Sequence, residues 1–379
     1  MVESLYVHIP FCRQICPYCA FASVRDKHQD HDRYVSALCQ EIRSSRYLIN
    51  SDPLNTVFFG GGTPTQLNSA NLAKILDTLN ELCGIAPDAE ITIEANPGSV
   101  DRKKMLSLLD LGFNRLSIGI QSFDTETLRK LGRSHTVNDA IDVFFVARDC
   151  GFKNINIDLM FSIPGVPEQV WQDSIRKGME LEPDHISTYG LIFEEGTPFA
   201  ALRNSGRLIE VDEDQDAHQY EWIRREANRV GYVHYEVSNF SKPGYICRHN
   251  SVYWADKPYI GVGLSSHSYY YPKRWWNTRN LKIYVDKIEQ GADVTEGEEE
   301  LSNHTALRDR FWLGLRTHQG VRLTSREELI LYRDTRFKDI EAMGRWGIIN
   351  GFLRISPESF VLADSLAIEA TEILEYELF

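Results

Sequence analysis

A chain of 379 residues can hold two or three domains, or one barrel with an appendage. Its 42% apolar content suffices for a large core, and no run approaches the about eighteen apolar residues of a membrane helix. A net charge of −13 supplies no broad basic footprint for nucleic acid. The start has no basic n-region and reaches Cys12 too soon for a signal peptide. A cytoplasmic protein is expected, in which clustered thiols stay reduced and read as metal or redox ligands.

The first two-thirds alternates short apolar strands with helical stretches. Strands are predicted at 5–9, 56–59, 90–95, 115–120, 154–160 and 185–191. Helices are predicted at 31–47, 69–82, 101–111, through to about 149, and from Pro167 at the first helical position. An acidic helix over 212–230 follows, then a strand at 232–237. Repeated βα units predict a parallel sheet, and six with mostly even spacing favour an α/β partial (β/α)6 TIM-like barrel over a doubly wound sheet. From about 241 the texture turns aromatic and glycine-rich, and acidic 291–300 reads as a solvated linker. Residues 301–379 read as three helices, strands at 352–356 and 359–363, and a final helix, an α+β winged-helix-like module. That module has ten Lys/Arg against twelve Asp/Glu, which disfavours a DNA-reading role. Three regions are expected: a core barrel over 1–240, an aromatic segment and linker over 241–300, and the module over 301–379.

Polar residues gather where the strands end. The cysteine loop follows strand one, Gly60-Gly61-Gly62-Thr63-Pro64-Thr65 follows strand two, and Glu94 with Asn96 closes strand three. Gln121 and Ser122 close strand four, and Asp158 lies near the end of strand five. In a parallel barrel these positions converge on the C-terminal face, where active sites are built.

Cys12, Cys16 and Cys19 stand in C-x3-C-x2-C spacing. Iron–sulfur clusters are normally held by four thiolates, so a compact three suggests a cubane with one iron free of protein ligand. The glycine loop lets backbone approach a ligand, yet lacks the lysine of a phosphate-binding P-loop. Glu94, Gln121, Arg133 and Asp158 are the types needed for a zwitterionic, ribose-bearing ligand. His249 follows Cys247 near Trp254, Tyr259, Trp275 and Trp276. It reads either as a haem-iron ligand or as a core histidine among packed aromatics. His8, His135 and His267 read as structural, and Cys39, Cys83 and Cys150 as core.

Cys12-x3-Cys16-x2-Cys19 is the signature of radical S-adenosylmethionine (SAM) enzymes. With YVHIPFC, FFGGGTPT, ITIEANPG, RLSIGIQSF, LGRSH, NIDLMFSIPG, YEVSNFSKPGY, CRHNSVYW and GVGLSSHS, the chain resembles the coproporphyrinogen III oxidase-like family in order over most of its length. The resemblance implies a radical SAM core barrel with a [4Fe-4S] cluster on Cys12, Cys16 and Cys19, and SAM on the fourth iron. It further implies SAM contacts at Tyr6, Gly61, Gly62, Thr63, Glu94, Gln121, Arg133 and Asp158, with one-electron cleavage of SAM to a 5′-deoxyadenosyl radical. True oxygen-independent oxidases carry a fourth cysteine where this chain has Phe21, and a long extension where this chain has eleven residues ahead of Cys12. His249-Asn250-x2-Tyr253-Trp254 instead resembles the haem-chaperone branch, in which that histidine is implicated in binding haem. The implied partners are haem as cargo, haem-acceptor proteins including membrane-associated ones, and an electron donor, with no catalytic residue, no nucleic acid and no transmembrane segment. The rival is an oxygen-independent coproporphyrinogen III oxidase or another radical SAM tetrapyrrole enzyme.

Overall fold

The computed structural model describes residues 2–49 and 51–378. In β1 (Ser4–Ile9), alternation sends Leu5, Val7 and Ile9 into the apolar layer under the helices, where all three are fully buried. Tyr6 and His8 take the other face, and their side chains hydrogen-bond each other. The same alternation recurs in β2 (Leu54–Gly61), β3 (Ile85–Ala95), β4 (Arg115–Gln121), β5 (Asn154–Phe161) and β6 (His185–Gly190), which pair in parallel and in sequence order. The intervening helices begin where side chains can accept an orphan backbone N–H: Asn68, Asp101, Asp124 and Thr136 each do so. Pro167 precedes its helix as the cap residue rather than occupying its first turn.

The partial (β/α)6 barrel is thus present, with additions at both edges. The strand predicted at 232–237 is β7 (Val233–Glu236), which joins β6 antiparallel through β8 (Asn239–Ser241). On the other edge β9 (Ile260–Val262) runs parallel to β1, so residues beyond 241 share the barrel's sheet and core. Between them helix Arg248–Trp254 lies against the barrel, its first N–H groups donating to Glu90 of β3.

Two expectations are overturned. Acidic 291–300 is no linker: Thr295–Glu300 is an edge strand paired antiparallel with Lys273–Asn277. Its charges lie on an exposed edge, which tolerates them, and Glu299 pairs with Arg274. Residues 359–363 form no strand, because Pro357 opens a 3-10 turn that runs into the last helix. The partner of Phe352–Ile355 is instead Trp346–Ile349, joined through Asn350-Gly351, both at positive φ (53° and 76°). The module keeps its own apolar core around Phe311, Phe337, Trp346 and Leu374.

Candidate cluster and cofactor site

The cysteine loop leaves β1 and is tied down on three sides. Gly62 and Thr63 donate backbone N–H bonds to Ile9 and Phe11 carbonyls, Gln14 Nε2 donates to Gly132 O, and Phe199 N donates to Pro17 O. Cys12, Cys16 and Cys19 are half-buried, free of disulfides, and line a single cavity of about 390 Å3. Burial pushes the Cys12 and Cys19 thiols up from their usual range, so a cation beside them is needed to hold them as thiolates.

The rest of that cavity comes from the strand ends. Gly61, Gly62 and Thr63 of the glycine loop, Glu94, Gln121, Arg133 and Asp158 all line it. Gly61 adopts φ +114°, and its N–H donates to Glu94 Oε2 at 3.2 Å. Burial, then the Asp158 charge, raises Glu94 to about 8. Asp158, raised by burial as well, accepts from Asn156 Nδ2 at 2.7 Å. Two buried carboxyls of this kind suit a ligand bearing hydroxyls and positive charge. Gln121 reaches the cavity from φ 71°, at a register shift in the β4–β5 pairing. Strain of that type is held by surrounding structure and clusters at functional sites.

Arg133 stands further in than its position beyond strand four suggested. Its Nη1 donates to Cys16 Sγ at 3.5 Å, while Nη2 donates to Gly119 O at 2.6 Å and to Asn96 Oδ1. Asn96 Nδ2 donates in turn to Thr63 Oγ1 at 2.8 Å, which lies 3.6 Å from Cys12 Sγ. Arginine, asparagine and threonine therefore link two of the three cysteines.

Two expected residues stand elsewhere. Tyr6 does not line the cavity; it stacks on Phe58, ring centroids 6.2 Å apart. His249 is 1% exposed, bonded at Nδ1 by Thr56 Oγ1 (2.8 Å) and at Nε2 by Tyr253 OH (2.7 Å). Burial lowers its pKa to about 3, so the ring is neutral, yet both nitrogens are engaged. Its neighbour Asn250 faces the cavity instead, and Trp254 lines a separate pocket with Arg310 and Phe352. His8 and His135 bond backbone carbonyls, whereas His267 is exposed. Cys39 is core, while Cys83 and Cys150 are only partly buried.

Sequence reasoning missed part of the cavity lining: Arg115, Ser117, Asn156, Ser187 and Tyr189. The signal was there in period two, since these residues share a strand face with Gln121, Asp158 or each other.

Residues 6–177 match the Radical SAM superfamily. The Heme chaperone HemW of Bacillus subtilis is 36% identical over 84% of this chain and 85% of its own length. The chain belongs to the HemW family of radical SAM proteins. Its relatives extend to the mitochondrial radical S-adenosyl methionine domain-containing protein 1 of Danio rerio, 31% identical over 99% of this chain and 88% of that protein. Among solved structures, coproporphyrinogen III oxidase (HemN) from Escherichia coli, a radical SAM enzyme, shares the fold: TM-score 0.83 at 23% identity, covering 97% of this chain and 89% of that one. HemW-family membership implies a [4Fe-4S] cluster and SAM, and the donor set fits both. Three unpaired thiols on one short loop face a cavity whose remaining lining is glycine backbone, carboxyls, amide and guanidinium. Among the described residues no helix is long and apolar enough to cross a membrane.

Proposed function

We propose that this protein is a radical SAM haem chaperone, which binds haem and passes it to haem proteins without decarboxylating coproporphyrinogen III. What carries the reading is the three-cysteine loop that ends on Phe21, an exposed apolar side chain where an oxidase-type loop would offer another thiol, in a chain whose relatives are named heme chaperones. Cys12, Cys16 and Cys19 would hold the cluster, and Gly61, Gly62, Thr63, Glu94, Gln121, Arg133 and Asp158 would hold SAM, with Tyr6 supporting Phe58 from behind. Bound together, those groups supply one-electron cleavage of a carbon–sulfur bond. The chain's own part is to orient and enclose: Arg133 fixes the Cys16 side, and Glu94 is fixed by the Gly61 N–H. The setting is cytoplasmic, with an electron donor to the cluster and haem proteins as acceptors. A ligand role for His249 would require its ring to leave Thr56 and Tyr253.

Anaerobically reconstituted protein, titrated with haem and separately incubated with reductant, SAM and coproporphyrinogen III, is expected to bind haem and to form no protoporphyrinogen. Protoporphyrinogen formation would overturn the chaperone reading in favour of the oxidase.

A further inference from the structure

The cavity has a polar interior and an apolar mouth. Inside are Glu94, Asp158, Arg115 and Asn156. At the opening, Ile15 is 47% exposed, Phe21 73%, Tyr189 42% and Ile192 69%, and all four line it. A single exposed apolar side chain needs no explanation, but four around one opening form a patch of the kind that marks a binding surface. Ile15 and Phe21 belong to the cysteine loop, whereas Tyr189 and Ile192 lie at the end of β6, so the apolar groups come from two separate segments of the lining.

The charges around this mouth are not symmetric. Arg279 is exposed, and its Nη2 donates to Ala20 O at 2.8 Å, which sets a guanidinium beside Phe21. Glu194, also exposed, lines the cavity two residues after Ile192. An occupant with a flat apolar body and an acidic edge would turn that edge towards Arg279 and away from Glu194. Haem has that shape and that charge.

We propose that haem docks across the cavity mouth, its macrocycle against Phe21 and Ile192 and a propionate towards Arg279, covering the cofactor cavity rather than lying beside His249. The inference rests on the haem-chaperone reading. It also gives cluster, SAM and cargo a physical connection, because haem over the mouth closes the exit of whatever lies beneath it. Haem seated there then slows the passage of SAM out of the cavity and into it.

The test titrates haem into reconstituted wild type, a Phe21→Ser/Ile192→Ser double variant, Arg279→Glu and His249→Ala, with the cluster absorption band as the check that each is folded. The double variant is expected to bind haem at least tenfold more weakly and to lose the haem-dependent slowing of SAM release. Arg279→Glu is expected to weaken binding of haem but not of its dimethyl ester, which lacks the propionate charges. Wild-type affinity in the double variant, or a loss confined to His249→Ala, would overturn the docking site. Absence of haem binding by wild type would instead overturn the chaperone reading on which it rests.

Discussion

At Gly61 three demands meet: φ of +114°, an N–H aimed at Glu94, and the imidazole of His8 pressed against the backbone. A Cβ built there would lie 2.5 Å from His8 Cε1, and His8 cannot swing aside while Tyr6 OH and Ala22 O hold its two ring nitrogens. Gly61→Ala is therefore predicted to destabilise the protein by about 2–3 kcal/mol, through left-handed strain and the clash together. A urea midpoint equal to wild type would refute this. Single residues also mark how far the sequence could be read. Gly61, Glu94, Gln121 and Asp158 were recognisable because polar groups at strand ends have one place to converge in a parallel barrel. Arg115 and Asn156 escaped that logic because they lie deep in their strands, Arg115 at the first residue of β4 and Asn156 at the third of β5. Tyr6 was named only through the family resemblance, and its ring stacks on Phe58, a placement that packing decides.

The short helix Arg248–Trp254 shows why the HNxxYW stretch of this chain was ambiguous as sequence. Glu90, paired in register with Thr56, accepts the N–H groups of Arg248 and His249 at 3.0 Å each, and lies 3.6 Å from the Cys247 thiol. A carboxylate at a helix N-terminus satisfies orphan donors and meets the positive end of the helix dipole. His249 then reaches Thr56, and Tyr253 one turn later reaches back to His249. The motif's histidine and tyrosine thus secure the helix against the barrel, and nothing local in the sequence announces Glu90 as their partner, more than 150 residues away. Glu90→Ala leaves the buried N–H of His249 and the part-buried N–H of Arg248 unpaired and is predicted to cost about 1–3 kcal/mol, read from denaturant midpoints. A loss below about 0.5 kcal/mol would show that water replaces the carboxylate without penalty. The linker reading failed for a similar reason. Thr295–Glu300 looked like linker because its acidity has no period, yet strand pairing with Lys273–Asn277 supplies what its own composition does not. Gly297 of that strand sits under the Trp276 indole, where a built Cβ would come within 2.3 Å. The hairpin through Asn350-Gly351 carried its turn signal in the sequence, yet its first strand, Trp346–Ile349, was not among the predicted elements.

Across the whole molecule, barrel and C-terminal module keep separate apolar cores, and Tyr220 packs against both. The junction is made of backbone: Val237 N donates to Arg316 O at 3.0 Å and His318 N to Tyr235 O at 2.9 Å. Glu236, beside it, is one of three glutamates whose carboxyls desolvation pushes up, Glu41 and Glu236 to about 7 and Glu94 to about 8. Each holds its proton in the folded state while the unfolded chain releases it above about pH 4.3. The folded state therefore binds more protons, and these groups lower stability as pH rises, until each folded pKa is passed. Buried histidines act in the opposite sense. Burial lowers His8, His135 and His234 to about 4 and His249 to about 3, so the unfolded chain takes up protons first as pH falls below about 6.5. Between about pH 4.5 and 6.5 the two sets offset each other; above that only the glutamates remain. Stability of the cluster-free protein is thus predicted to fall by about 2–3 kcal/mol between pH 6.5 and 8, measured as the shift in urea unfolding free energy under reducing conditions. A flat or rising profile across that window would mean that these carboxyls ionise in the folded protein as readily as in water. Replacing Glu94 by Gln should remove the largest share of the slope, since it alone continues to titrate up to about pH 8. Glu94 also faces the cofactor cavity, so a cationic ligand held there would draw its pKa down, release a proton on binding, and flatten the same profile.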